Sequence, residues 1–307
     1  MNIDLVYLWV NNNDSEWVKK RGKYDVSGTN KDAISICRFY NNDELKYSLR
    51  SVSQNLSWIN NIYIITDNQV PDWLNTNNNR INIVNHSDII PSNYLPLFNS
   101  CAIESRIPYI ENLSEFFIYA NDDMFFWKPT LPDFFFNEEK PIYIAGKRIV
   151  NKEYKHLYGY TVVRMYKLVK TRYGIDIPFF PHHNADPYRK SLFLTCIKEF
   201  QEDFDKTLSN RFRAMSDVQR SIVMYYSIAQ NQAILDKTRQ NPFFEALGIP
   251  IGKSLAYDLK WFNSAKIKAA QSKLLCINDS RSTTDKIRIL TKQFLEQKFS
   301  AKSEFEK

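Results

Sequence analysis

The sequence predicts an α/β fold: a mostly parallel, Rossmann-like sheet flanked by helices, with a helical insertion before the last strand. Three observations predict it. Short β-rich apolar runs (Ile3–Val10, Ile62–Thr66, Ile81–Val84 and Phe116–Ala120) alternate with helical segments through the first half, an order that implies parallel strands joined by right-handed crossovers. From about 150 to 270 the pattern turns helical, after which one more apolar run, Leu274–Ile277, returns. Finally, three of these runs stop at asparagine and aspartate: Asn11-Asn12-Asn13-Asp14, Asn121-Asp122-Asp123 and Asn278-Asp279. Ligands of open α/β sheets sit just beyond the carboxyl ends of strands, and carboxylate and amide oxygens are the donors that Mg²⁺ or Mn²⁺ prefers.

Taken in order, Asp14 opens a short helix through Lys20, and the polar stretch 21–40, with Gly22 and Gly28, reads as a loop. Asn41 or Asn42 caps a helix whose Leu45, Leu49, Val52 and Leu56 share one face. A helix over 102–107 precedes the Phe116 strand. In the insertion, Lys155–Tyr173 is amphipathic and Gly174 stands where a glycine ends a helix. Asp186-Pro187 reads as an N-cap with proline at N1, starting a helix that can run to 205. Asp217 caps Val218–Gln230, and a last helix spans 284–299. The domain reading is a core over 1–149, an insertion over 150–270 that contributes to the site, and 271–307 returning to the core.

Of the 307 residues, 44% are hydrophobic and 24% charged, the balance of a soluble globular protein. The net charge of +7 and pI near 9.0 suit a polyanionic partner. The basic residues are dispersed, however, with no nucleic-acid module in view, so no nucleic-acid partner is expected. A phosphate pocket remains compatible. Cys37, Cys101, Cys196 and Cys276 are widely spaced, which gives neither a disulfide framework nor a zinc site; each reads as a small buried residue. Met1-Asn2-Ile3-Asp4 lacks a basic leader, and no apolar stretch approaches the ~20 residues of a membrane span. The expected compartment is the cytoplasm, with peripheral attachment at the inner membrane face compatible.

Gly248-Ile249-Pro250-Ile251-Gly252-Lys253-Ser254 imitates a phosphate-binding loop, but three residues separate its glycines rather than four, and Asn241–Leu247 is not a convincing strand. With seven glycines in the chain, a nucleotide must be held by side chains and helix N-termini. His182 and His183 stand just before the helix read from Asp186, where an imidazole can take a proton from a hydroxyl and an anion can dock. Arg38, Arg50, Arg211 and Arg213 flank the polar segments, and a guanidinium fork suits phosphate oxygens. Trp9, Trp17 and Trp58 read as core or rim aromatics.

The segment Asp4–Asp14 resembles the first motif of the Stealth family, bacterial capsular polysaccharide phosphotransferases related to the catalytic part of lysosomal-enzyme GlcNAc-1-phosphotransferase. The stretch from Arg38 through Asn42-Asp43-Glu44-Leu45, Trp58–Pro71, Ala102–Ser105 and Phe117–Asp123 resembles the second. His182/His183 through Arg211-Phe212-Arg213 resembles the third, and Leu275–Asp279 the fourth. Asn12 and Ala120 replace a common glycine and phenylalanine, and Asp186-Pro187-Tyr188-Arg189-Lys190 departs from the third motif.

The resemblance implies a nucleotide-sugar-binding, GT-A-like fold. It also implies transfer of hexose-1-phosphate, or N-acetylhexosamine-1-phosphate, from a UDP-hexose-type donor to a hydroxyl of a glycan or lipid-linked oligosaccharide, releasing UMP. With it come these expectations: Asp122, Asp123, Asn278 and Asp279 hold Mg²⁺ or Mn²⁺, and Arg38, Arg50, Arg211 and Arg213 contact phosphate. His183 is the base, with Asp123 competing, while Asn11, Asp14, Asn42, Asp43 and His182 shape the substrate pocket. The alternatives are a metal-dependent glycosyltransferase releasing UDP and a non-enzymatic nucleic-acid-binding protein.

Overall fold

The structure, a computed structural model, describes residues 1–24, 26–240, 246–250, 272–279 and 283–307. Among these, the strands are β1 (Ile3–Leu8), β2 (Ile62–Thr66), β3 (Ile81–Asn85), β4 (Phe116–Asn121), β5 (Met124–Phe126), β6 (Phe136–Asn137), β7 (Lys140–Arg148), β8 (Phe179–Pro181), β9 (Asp186–Arg189), β10 (Ile234–Asp236), β11 (Ala246–Pro250) and β12 (Leu274–Asn278). The helices are α1 (Ser15–Gly22), α2 (Glu44–Asn55), α3 (His86–Ile89), α4 (Ser100–Glu104), α5 (Leu157–Tyr173), α6 (Lys190–Glu199), α7 (Gln201–Ser209), α8 (Ser221–Ala229) and α9 (Asp285–Lys298).

The central sheet runs β3-β2-β1-β4-β9. Its first four strands are parallel and β9 is antiparallel to β4. Both faces are covered, which is why these strands are near-continuous apolar runs. On one face Val6, Tyr63 and Phe117 pack with Met165, Phe193 and Ile222. On the other, Leu5, Ile64 and Ile118 pack with Leu49, Val52 and Phe126. A second sheet runs β10-β7-β6, with β8 on β7, and a third runs β11-β12-β5. No helix among the described residues is long and apolar enough to cross a membrane.

Several local expectations are corrected. Asp186-Pro187 does not start a helix: it forms β9, with Pro187 opposite Ile118 and Asp186 opposite Tyr119. Proline is tolerated because β9 is an edge strand, and α6 begins only at Lys190. The histidines therefore precede a strand and not the start of a helix. Asp217 does not cap a helix either. It accepts from Ala214 N–H, Asn99 and Asn210, and α8 begins at Ser221. The residue before α2 is Asp43, in the left-handed region at φ 65°, not Asn41 or Asn42.

The late strand β12 joins β5 and β11 rather than the central sheet. Ala246–Pro250 is a strand after all, so Gly248 and Pro250 of the loop-like segment are strand residues; Ile251–Ser254 lie outside the described residues. The boundary at residue 150 does not divide the core, since β9 completes the central sheet and helices from both sides share one apolar cluster. Cys101, Cys196 and Cys276 are buried as expected, but Cys37 is only partly so. Gly174 ends α5 at φ 72° as read.

Candidate active site

A cavity of about 730 Å³ opens at the carboxyl ends of the central strands, a volume ordinary for a ligand site. Its acidic wall begins at the turn between β4 and β5, which carries Asp122 and Asp123. Strand β12 pairs with β5, and the Ile277 N–H donates to the Asp123 carbonyl at 2.9 Å. That pairing carries Asn278 and Asp279 to the same wall. A third carboxylate, Glu44, enters from the first turn of α2, oriented by the Asn42 backbone N–H and side-chain Nδ2, both at 2.6 Å.

Burial, then Glu44, then the neighbouring Asp123 push the Asp122 carboxyl well above the ordinary range. Burial and Glu44 push Asp123 up to about 7. Burial likewise raises Glu44, with Asp279 adding repulsion. Three crowded carboxylates that repel one another are relieved by a bound cation. Among the described residues, no three His, Cys, Asp or Glu side chains converge into a metal cage. This donor set fits Mg²⁺ nonetheless, because that ion is commonly held by one or two carboxylates together with substrate phosphates. Asp122, Asp123 and the Asn278 carbonyl are the residues that would hold it. Asp279 would be a weaker ligand than its position suggests, since Arg288 already pairs with it at 2.9 and 3.3 Å.

The same cavity also has basic residues in its lining. Arg38, Arg213, Arg220 and His183 all line the cavity. Arg38 Nε donates to the Asp32 carbonyl and Arg213 to Ser100 Oγ. Arg220 is buried, with Nη2 3.3 Å from Asp186 Oδ2 and its guanidinium 4.9 Å from the Tyr119 ring centre. Its Nε has no hydrogen-bond partner among the described residues. His183 lies edge-on to Tyr158 at 5.8 Å and hydrogen-bonds Asn278. Burial, then Arg220, pull its pKa down to about 4, so the imidazole is neutral at pH 7 and able to accept a proton.

Seven other expected site residues do not line the cavity. Asp14 caps α1, accepting from the Glu16 and Trp17 N–H groups, and also accepts from Gln69 Nε2 at 3.0 Å. Asn11 is bound through its backbone to the same Gln69, at 2.9 Å in each direction. These two fix the chain beside Trp9 and Trp17, which do line the wall. Asn42 orients Glu44, and Asp43 pairs with Lys292 at 2.6 Å. Arg50 is spent on Glu306, with both contacts at 2.8 Å, and on the Phe299 carbonyl at 2.7 Å. It is therefore a structural tie and not a phosphate contact. Arg211 bonds the Pro96 carbonyl at 3.1 Å and covers Tyr24. His182 turns to Asn184, its pKa lowered to about 4 by burial.

Sequence reasoning missed Glu44 and Arg220. Glu44 had a usable signal, standing beside Asn42-Asp43 at the start of a helix. Arg220 had none, because a charge inside a predicted helix reads as solvated.

Fold and cleft together define a GT-A-like α/β protein whose cavity is lined by both carboxylates and guanidiniums. The apo structure of the bifunctional glycosyltransferase WbbM superposes with a TM-score of 0.51 at 7% identity, over 98% of this chain and 50% of that one, which shows the fold alone. Family models match "Stealth protein CR1, conserved region 1" at residues 1–26, conserved region 2 at 38–143 and conserved region 3 at 182–228. The chain is 34% identical to capsular polysaccharide phosphotransferase fcs1 of Haemophilus influenzae, over 92% of this chain and 79% of that protein. It is 30% identical to capsular polysaccharide phosphotransferase WcwK of Streptococcus pneumoniae, over 100% of this chain and 99% of that protein. The chain belongs to the Stealth family.

Proposed function

We propose that the chain transfers a sugar 1-phosphate from a UDP-hexose or UDP-N-acetylhexosamine to a hydroxyl of a glycan or lipid-linked acceptor. The products are a phosphodiester and UMP, and the work is cytoplasmic. The observation that carries this reading is the pairing of three crowded carboxylates with Arg213, Arg220 and a neutral His183 in one cavity. Phosphoryl transfer needs positioning and charge neutralisation around phosphorus, with little covalent chemistry from the protein. The names of the relatives support a phosphotransferase.

In this reading the Mg²⁺ or Mn²⁺ held by Asp122, Asp123 and Asn278 would neutralise the donor diphosphate. Arg213 and Arg220, which line the same cavity, bind its non-bridging oxygens. His183 accepts the proton of the acceptor hydroxyl as its oxygen approaches the sugar-bearing phosphorus. Asp123 is the weaker base, because a cation there would hold it ionised and occupied. The metal-dependent glycosyltransferase reading rests on the fold likeness, but a cleft with three guanidiniums suits attack at phosphorus better than attack at carbon.

The deciding experiment incubates the protein with a panel of UDP-hexoses, Mg²⁺ and sugar acceptors and separates UMP from UDP. Acceptor-dependent UMP supports phosphotransfer; UDP moves the chain to the glycosyltransferase class.

A further inference from the structure

The chemistry above places a donor and a base but leaves the acceptor unplaced. A chain of aromatic rings leads outward from His183. The imidazole lies 5.8 Å from Tyr158, which also lines the cavity. Tyr158 lies 6.4 Å from Phe180, and Phe180 lies 5.5 Å from Tyr154. All four rings are half-buried. Such rings keep flat apolar faces open, and the apolar faces of sugar rings lie on them.

Cations border the outer end of this chain. Arg148 stands 5.8 Å and Lys237 5.2 Å from the Phe179 ring centre, and Lys152 stands 5.2 Å from that of Tyr154. The pairing of β7 with β8, which sets Arg148 opposite Phe179, brings the two segments together. All three cations are exposed. The acids on the same segments are held by other partners: Glu153 by Lys155 at 3.7 Å, Asp176 by Lys170 at 2.6 Å and Asp236 by Arg239 at 2.9 Å. Guanidinium and ammonium groups left in this state take phosphate oxygens. Matched region 2 ends at residue 143 and region 3 begins at 182. Asp122, Asp123 and His183 lie inside those regions, whereas Arg148 to Phe180 lie between them and Lys237 lies beyond region 3. The strip is thus built from sequence outside the matched regions, where acceptor choice is free to differ among transferases that share the reacting groups.

We propose that the strip is the acceptor subsite and that it takes an anionic glycan. Sugar rings rest on Tyr158, Phe180 and Tyr154, and a phosphate carried further along the glycan meets Arg148, Lys152 and Lys237. The terminal sugar then lies against Tyr158 with its hydroxyl toward His183. The subsite rests on the phosphotransfer reading given above, whose product is itself a glycan bearing a phosphodiester.

The test measures equilibrium binding of phosphomannan, uncharged mannan, polyphosphate and phosphatidylglycerol vesicles to the purified chain. Phosphomannan carries both sugar rings and phosphodiesters. It is expected to bind at least about 10-fold more tightly than mannan or polyphosphate, the loss that follows when a charge-assisted hydrogen bond is missing. Arg148→Gln/Lys237→Gln changes two exposed side chains, so the fold is kept, and it should weaken phosphomannan about 10-fold with mannan unchanged. Tyr154→Ala should weaken phosphomannan and leave polyphosphate unchanged. Polyphosphate bound as tightly as phosphomannan would reduce the strip to an anion patch. Vesicle binding that the double variant abolishes would turn this face to a membrane. Either result overturns the proposal, as does phosphomannan binding that is absent or indifferent to the double variant. UDP in place of UMP in the nucleotide assay would end the phosphotransfer reading instead, and that outcome is read separately from glycan binding.

Discussion

Replacing Arg50 separates a stability role from a substrate role. Its side chain and that of Glu306 are 7% and 2% exposed, joined by two contacts of 2.8 Å, and a further donor nitrogen serves the Phe299 carbonyl. Removing one partner of a buried ion pair costs about 3–5 kcal/mol, because the remaining charge is stranded. Arg50→Met should therefore lower the melting temperature by roughly 5–15 °C. Arg50→Met/Glu306→Met should recover most of that, since two apolar side chains replace a desolvated pair. Burial raises the Glu306 carboxyl while Arg50 and Ser303 lower it, and the lowering wins. The stability of this pair is accordingly present above the ordinary glutamate value of 4.5 and lost as pH falls through the depressed one. The assay is thermal and urea unfolding of the three proteins at pH 7, with turnover measured well below each transition. An Arg50→Met protein that melts like wild type but fails to turn over would refute the tie and restore a phosphate role.

Three further outcomes are expected. His183→Ala should cut kcat about 10²- to 10⁴-fold with a small change in KM, the signature of a lost base; unchanged single-turnover rates would move the base to Asp123. His182 is held near 4 against an ordinary 6.5, so the unfolded chain takes up a proton that the folded one refuses. Its contribution is complete above pH 6.5 and is lost as pH falls toward 4. His182→Gln should thus be less acid-labile than wild type, by up to ~3 kcal/mol between pH 4 and 7 in urea unfolding; parallel pH profiles would count against it. A Cβ on Gly146 would lie 2.9 Å from the carbonyl oxygens of both Phe180 and Pro181. Gly146→Ala should push β8 off β7, costing about 1–3 kcal/mol, and lower activity because His183 follows that strand; wild-type stability and rate would show that the contact yields.

What the sequence made legible follows from where the physics is local. The buried parallel strands were visible as apolar runs, and Asp122-Asp123 was visible because a strand end is a local feature. Asn278-Asp279 joined it as read, by way of the β5–β12 pairing. Asn11–Asp14, with the same letters, did not, since an aspartate before a helix caps it whatever follows the strand. Asp186-Pro187 shows the same ambiguity in reverse, for a helix start and an edge strand accept that pair equally. Arg50, Arg211 and Arg220 could not be sorted from the sequence. A guanidinium's partner is set by residues such as Glu306, Pro96 and Asp186, and the first two are more than a hundred positions away.

The bond from Ile277 N–H to the Asp123 carbonyl spans more than 150 positions of chain. Until residues 274–279 have been made and threaded beside β5, the acidic turn lacks the strand that fixes it. A nascent chain carrying everything up to residue 270 would hold the arginines, the histidines and both aspartates, yet would have no finished cleft. Domains fold as units during synthesis, so this cleft should be completed only after residues 274–279 have been made.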